Sequence, residues 1–149
     1  MSAPVGFVID ASVLVAFLRP GDPFHGDADA MVKRLTLMPV TLYVPAMAFA
    51  EVAAALARGE DDTALALNGL SHLNKLRRLR TIAVDKSVGW MAAYAAASYR
   101  IRGCDAVYVA LAQNLSAVLV TLDRQQRERS PRTVFAQAPA DILASLPKP

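Results

Sequence analysis

The sequence is poor in the residues that most often build covalent frameworks or transition-metal sites. It has one cysteine in 149 residues, Cys104, so no disulfide can close within the chain, and that thiol reads as a small buried hydrophobe. Its two histidines, His25 and His72, stand far apart and lack partners at metal-ligand spacing, which argues against a zinc site or a histidine general base. No apolar run reaches the eighteen or so residues of a membrane span, the longest being interrupted by Asp10, Glu51 or Arg100. The start MSAPVGFVID lacks the positive segment of a secretory signal. These absences predict a soluble, cytoplasmic protein with no membrane partner.

What is present is hydrophobic and mildly basic. Hydrophobic residues make up 54% of the chain, above the usual 45 to 50% or so, which suggests apolar surface buried against another chain. The length suits a single domain over residues 1–149, long enough to bury a core without disulfide or structural metal. A net charge of +3 permits a polyanionic partner without requiring one.

Five strand-length apolar or β-branched runs punctuate the chain, at residues 7–9, 41–44, 81–84, 117–121 and 133–136. Between them lie alanine- and leucine-rich segments with helical spacing, predicting helices near 24–38, 46–58, 61–77, 86–101 and 104–114. Asp22-Pro23 and Pro45 look like start signals, Asp61 or Asp62 like a cap, and Gly59 like a stop. Strands alternating with helices imply right-handed crossovers and a mostly parallel five-stranded sheet covered on both faces. The predicted fold is a three-layer α/β/α sandwich.

In an open parallel sheet the functional crevice lies outside the carboxyl ends of the strands. Asp10 ends the first predicted strand and Asp123 the fourth, in VLVTLD; Glu51 sits about two turns into an alanine-rich helix, and Asp105 opens the helix that feeds strand 4. Each has a simpler reading: Asp10 and Asp105 as helix caps, Glu51 as a solvated position, Asp123 as a turn acid. If the four converge, any two carboxylates about 4 Å apart repel by roughly 4 kcal/mol at an effective dielectric near 20. A divalent cation relieves that repulsion. An all-oxygen donor set without Cys or His selects Mg²⁺, or Mn²⁺ in its place, and such an ion suits phosphodiester hydrolysis.

The segments VIDASVLVAFL, VPAMAFAEVAAAL, GCDAVYVALAQ and LVTLDRQ, in that order over almost the whole chain, resemble those of PIN-domain ribonucleases, especially VapC-type toxins of toxin–antitoxin pairs. By that resemblance Asp10, Glu51, Asp105 and Asp123 match the acidic quartet of a metal site, and Ser12 and Thr121 its hydroxyl neighbours. It implies a Mg²⁺-dependent endoribonuclease, an RNA substrate, a homodimer, and a small antitoxin covering the active-site groove. The chain departs from the pattern after Asp123, where RQQRERSP lacks the usual aromatic or apolar residue. PIN domains also serve in RNA maturation and decay and as scaffolds that do not cut.

Setting the four candidate acids apart from the 13 acidic residues leaves 9 against 16 Lys and Arg, a balance suited to gripping a phosphate backbone. Arg124, Arg127 and Arg129, beside Asp123, are the better candidates for substrate contact; KLRRLR at 75–80 reads more simply as basic residues ending a helix. Trp90, Tyr94 and Tyr99 read as packing residues, against the core or a partner subunit. A phosphatase of the Asp-x-Asp kind is disfavoured because the chain offers DAS after strand 1, and a receiver domain because Asp10 stands alone there.

Overall fold

The computed structural model describes residues 6–148. The chain runs β1 (Gly6–Ile9), α1 (Ala11–Leu18), α2 (His25–Thr36), β2 (Thr41–Pro45), α3 (Ala48–Glu60), α4 (Thr63–Asn74) and β3 (Leu79–Ile82). It continues through α5 (Lys86–Tyr99), α6 (Gly103–Asn114), β4 (Val118–Val120), α7 (Arg124–Arg129), β5 (Ala136–Gln137) and α8 (Pro139–Ser145). The five strands form one sheet in the order β3-β2-β1-β4-β5, and every pairing is parallel. This is the predicted α/β architecture, with an all-parallel rather than mostly parallel sheet.

The central strands are apolar because both their faces are covered. All four residues of β1 are buried, as are Leu42, Val44, Leu119 and Val120 of its neighbours. Helix α6 supplies the largest continuous block of the core, with Ala106 through Ala112 all buried and Tyr108 fully enclosed. Because β2 lies on one side of β1 and β4 on the other, the sheet order reverses at β1. A crevice opens beyond the carboxyl ends of β1 and β4, the position that parallel sheets use for ligands.

Aspartates set the entry of four helices. Asp10, Asp62, Asp85 and Asp123 each accept a hydrogen bond from a backbone N–H in the first turn of α1, α4, α5 and α7 respectively. Where the sequence pointed to Gly59 as a helix stop, α3 runs through it to Glu60, and the left-handed residue that ends the helix is Asp61, with φ 49°. Pro45 closes β2 instead of opening α3, β5 lies at Ala136–Gln137, beyond most of the predicted run, and the short helices α7 and α8 were not foreseen. Trp90 and Tyr94 stand exposed on α5, whereas Tyr99 packs against the core. Cys104 is exposed too, correcting its assignment as a buried hydrophobe: it precedes the stretch of α6 that meets the sheet. Among the described residues no helix is long and apolar enough to cross a membrane.

Arg100 links α5 to α6 in a left-handed conformation, φ 54°, which costs a side chain with Cβ roughly 1 kcal/mol. Its carbonyl accepts from Arg129 Nη1 at 2.6 Å, a bond that glycine would keep. Arg100→Gly is therefore expected to stabilise the protein by up to about 1 kcal/mol, measured as a rise in the urea midpoint at unchanged m-value.

Candidate active site

The four acids sit on four different elements that all reach the same end of the sheet. Asp10 directly follows β1 and is tied to β4 through its own backbone N–H, which donates to Val120 O at 2.9 Å. Asp123 follows β4 and caps α7; Asp105 and Glu51 lie in the first turns of α6 and α3. Glu51 is thus one turn nearer its helix start than expected, because α3 begins at Ala48. Asp105 does not cap α6; Arg102 occupies that position, without a side-chain cap bond.

Asp10 is 5% exposed and its Oδ2 accepts from the Ser12 N–H at 3.0 Å and the Ser12 hydroxyl at 2.5 Å. Burial raises its pKa, the Ser12 bonds pull it down, and the negative charges of Asp105 and Glu51 raise it again; burial wins, leaving it at about 6 against an ordinary 3.8. Asp105 and Glu51 are the two acids whose charges bear on Asp10.

Three residues outside the predicted set hold the acids in place. Tyr108 donates its hydroxyl to Glu51 Oε1 at 2.7 Å, and burial together with the negative charges of Asp10 and Glu51 pushes that phenol well above its usual range, so it stays a donor. Arg102 bridges two acids, Nε to Asp105 Oδ2 at 2.8 Å and Nη2 to Asp123 Oδ2 at 2.9 Å. Gln126 is 1% exposed; its backbone N–H donates to Asp123 Oδ1 at 2.9 Å and its side-chain amide to the Asp105 carbonyl at 3.0 Å. Arg102 stands three residues before Asp105, a helical ion-pair spacing visible in RGCD. Tyr108 reads from sequence as core, and Gln126 is hidden in a charged run.

The hydroxyl neighbours of the acids, Ser12 and Thr121, which are also candidate substrate contacts, and the arginines beside Asp123 are held in different ways. Ser12 Oγ, besides its bond to Asp10, accepts from Leu122 N at 3.1 Å, so it fastens α1 to the loop after β4. Thr121 is fully buried and its Oγ1 accepts from Asp123 N at 3.0 Å, which places that hydroxyl inside the turn and away from a surface-bound substrate. Arg127 donates to the Thr121 carbonyl at 2.8 Å and lines a small cavity with Phe24, Leu122 and Pro139. Arg124 is exposed and pairs only with Glu128, one turn on. The histidines lie elsewhere: His25 Nδ1 is 2.9 Å from Ala16 O, and the His72 ring packs 5.5 Å from that of Phe17.

As a donor set the four carboxylates fit a hard divalent cation. They are not closed around one: among the described residues no three Asp, Glu, His or Cys side chains are grouped to hold a metal ion. The hydrogen bonds give the reason, since Asp105 and Asp123 turn to Arg102 and Glu51 turns to Tyr108. From Ser12 and Glu51 a groove of about 710 Å³ runs over Ala54 and Ala55 to Arg58 and Asp22.

The chain belongs to the PIN domain family, whose model matches residues 7–130. A comparison with curated protein sequences finds no significant match. Among solved structures, the chain is similar to PAE2754 from Pyrobaculum aerophilum, at 20% identity and a TM-score of 0.70, over 94% of this chain and 88% of that one. It is similar to VapC20 of Mycobacterium tuberculosis, described as a toxin that cleaves the sarcin-ricin loop, at 16% identity and TM-score 0.71, covering 87% and 98% of the two chains. The third is VapBC2 of Rickettsia felis, solved on a DNA fragment from its promoter, at 13% identity and TM-score 0.70 over 89% and 98%. At these identities the likeness is one of fold.

The raised Asp10 pKa has a direct consequence for stability. Unfolded, the carboxyl ionises near 3.8; folded, near 6, so the cost of burying its charge sets in as pH rises between those values and is complete above them. The difference corresponds to roughly 3 kcal/mol as an upper bound. Asp10→Asn, which removes the charge and keeps the volume, is expected to stabilise the EDTA-treated protein at pH 7.5. Thermal melts should show that gain shrinking below pH 6 and vanishing near pH 4; a gain independent of pH would mean that the charge of Asp10 is not what burial penalises.

Proposed function

We propose that this chain is a Mg²⁺-dependent endoribonuclease, with Mn²⁺ able to substitute, and the toxin of a toxin–antitoxin pair. The observation that carries the reading is the convergence of Asp10, Glu51, Asp105 and Asp123 on the carboxyl edge of a parallel sheet within a PIN domain. These four would hold the ion, which when bound supplies an acidified water and neutralises charge on a phosphate. The residues of the chain do the positioning. Ser12 fixes Asp10, Tyr108 fixes Glu51, and Gln126 keeps Asp105 and Asp123 in register. Of the arginines beside Asp123, Arg124 is the one placed to meet an RNA backbone, because its pair with Glu128 is exposed and weak; Arg127 is fastened to Thr121 and shapes the loop instead.

Similarity to VapC20 and to the VapBC and FitAB assemblies supports the toxin reading. A small antitoxin would lay an apolar segment over the alanine floor of the groove beside Glu51, with Arg58 and Asp22 as charged anchors at its far end. We assign self-association to α5, where Trp90 and Tyr94 are exposed beside a shallow pocket of about 520 Å³ that also involves Met91 and Gln113. A cytoplasmic setting agrees with this partner set.

Mg²⁺ or Mn²⁺ is expected to raise the melting temperature of the wild type, and Asp10→Asn to abolish most of that rise. Structured RNA should be cut by the wild type and spared with EDTA or in Asp105→Asn; a melting curve indifferent to metal, with no cleavage, would instead identify a PIN-fold scaffold. Cleavage by a nuclease without a co-purifying small partner would point to RNA processing or decay. Trp90→Ala with Tyr94→Ala should shift the species measured by light scattering from dimer to monomer.

A further inference from the structure

Among the described residues Arg102 is the one cation in an ion pair with these acids. A single guanidinium donates to carboxylates from two elements, Asp105 of α6 and Asp123 at the cap of α7, 21 residues away in sequence from the latter. Both of its partners are largely sheltered, with side chains 15% and 26% exposed, while its own is 70% exposed. The cation therefore covers the rim of the site from outside. Asp123 has both oxygens engaged, Oδ1 by Gln126 N–H and Oδ2 by Arg102, and an ion taken up on Oδ2 would meet the like charge of the guanidinium there. The Gln126 bond belongs to a buried helix cap, whereas the Arg102 bond ends on a solvent-exposed side chain whose departure leaves no unsatisfied group buried.

We propose that Arg102 is the resident counter-ion of the metal-free site and trades places with the divalent cation. This rests on the metal-dependent reading above and deepens it. In the metal-free state the guanidinium offsets the repulsion between Asp105 and Asp123 and keeps both on the same edge; on loading it swings to solvent and releases Oδ2 of each. The arrangement preserves the site at the expense of metal affinity, because an ion that takes Oδ2 of both acids displaces two exposed ion pairs. Each such pair is worth a factor of about 1.5 to 5 in an equilibrium constant, so the two together weaken metal binding roughly 2- to 25-fold.

The test is Mn²⁺ binding to EDTA-stripped protein, followed by isothermal titration calorimetry and by the electron paramagnetic resonance signal of free Mn²⁺, for wild type, Arg102→Ala and Arg102→Lys. Arg102→Ala is expected to bind Mn²⁺ roughly 2- to 25-fold more tightly and to melt at a lower temperature without metal, with Arg102→Lys between it and the wild type. Unchanged or weakened Mn²⁺ binding in Arg102→Ala, in a protein whose circular dichroism matches the wild type, would overturn the exchange while leaving the metal site intact. If neither wild type nor variant binds Mn²⁺, the metal reading fails and takes this inference with it.

Discussion

Mutual repulsion among carboxylates governs this end of the molecule. Parallel strands deliver their carboxyl ends to one edge, and this chain places Asp10 and Asp123 at adjacent strand ends, with Glu51 and Asp105 on helices that begin there. The surrounding structure distributes that repulsion among different kinds of partner: a hydroxyl and an N–H for Asp10, a phenol for Glu51, a guanidinium shared by Asp105 and Asp123. Only the last carries opposite charge, and it lies outermost. The buried part of the site is thus polar and held by specific contacts but not neutralised, which is the electrostatic basis of the proposed divalent-ion site.

The same edge explains why the helices around it start where they do. A carboxylate that caps a helix has one oxygen committed to a backbone N–H, as Asp10 Oδ2 and Asp123 Oδ1 are. Asp10 and Asp123 are both caps and site acids, so the two readings that compete in the sequence are compatible in the structure. Capping fixes the rotamer; the strand end fixes the position. Asp105 and Glu51 lack that local anchor and depend on contacts from afar.

The β1 and β4 runs, the crossover helices and the four acidic positions could be read from the chain, because each rests on local pattern or on a rule of parallel sheets. What could not be read were the supports. Tyr108 and Glu51 are 57 positions apart, and nothing local to a tyrosine amid Ala and Val tells a core phenol from one that holds a carboxylate. Gln126 lies among arginines that draw attention to charge, yet it is the buried member of that helix. Arg102 was within reach of a spacing argument, since it pairs with Asp105 at i,i+3; its second partner, Asp123, depends on the α6 start meeting the loop after β4. Gly59 failed as a helix stop because Asp61 took the left-handed turn two residues later.

Asp105 and Asp123 are joined twice, once by the guanidinium of Arg102 between their carboxylates and once through Gln126, whose side-chain amide holds the Asp105 main-chain carbonyl and whose backbone N–H holds Asp123, and the two links respond differently to their surroundings. The first is ionic and solvent-facing, so it slackens as dissolved salt shortens the Debye length toward a few ångströms. The second is neutral and buried, and dissolved ions leave it untouched. High ionic strength therefore strips the acids of their counter-charge without separating the segments that carry them, and the spacing of those segments becomes a property of the fold, independent of the medium.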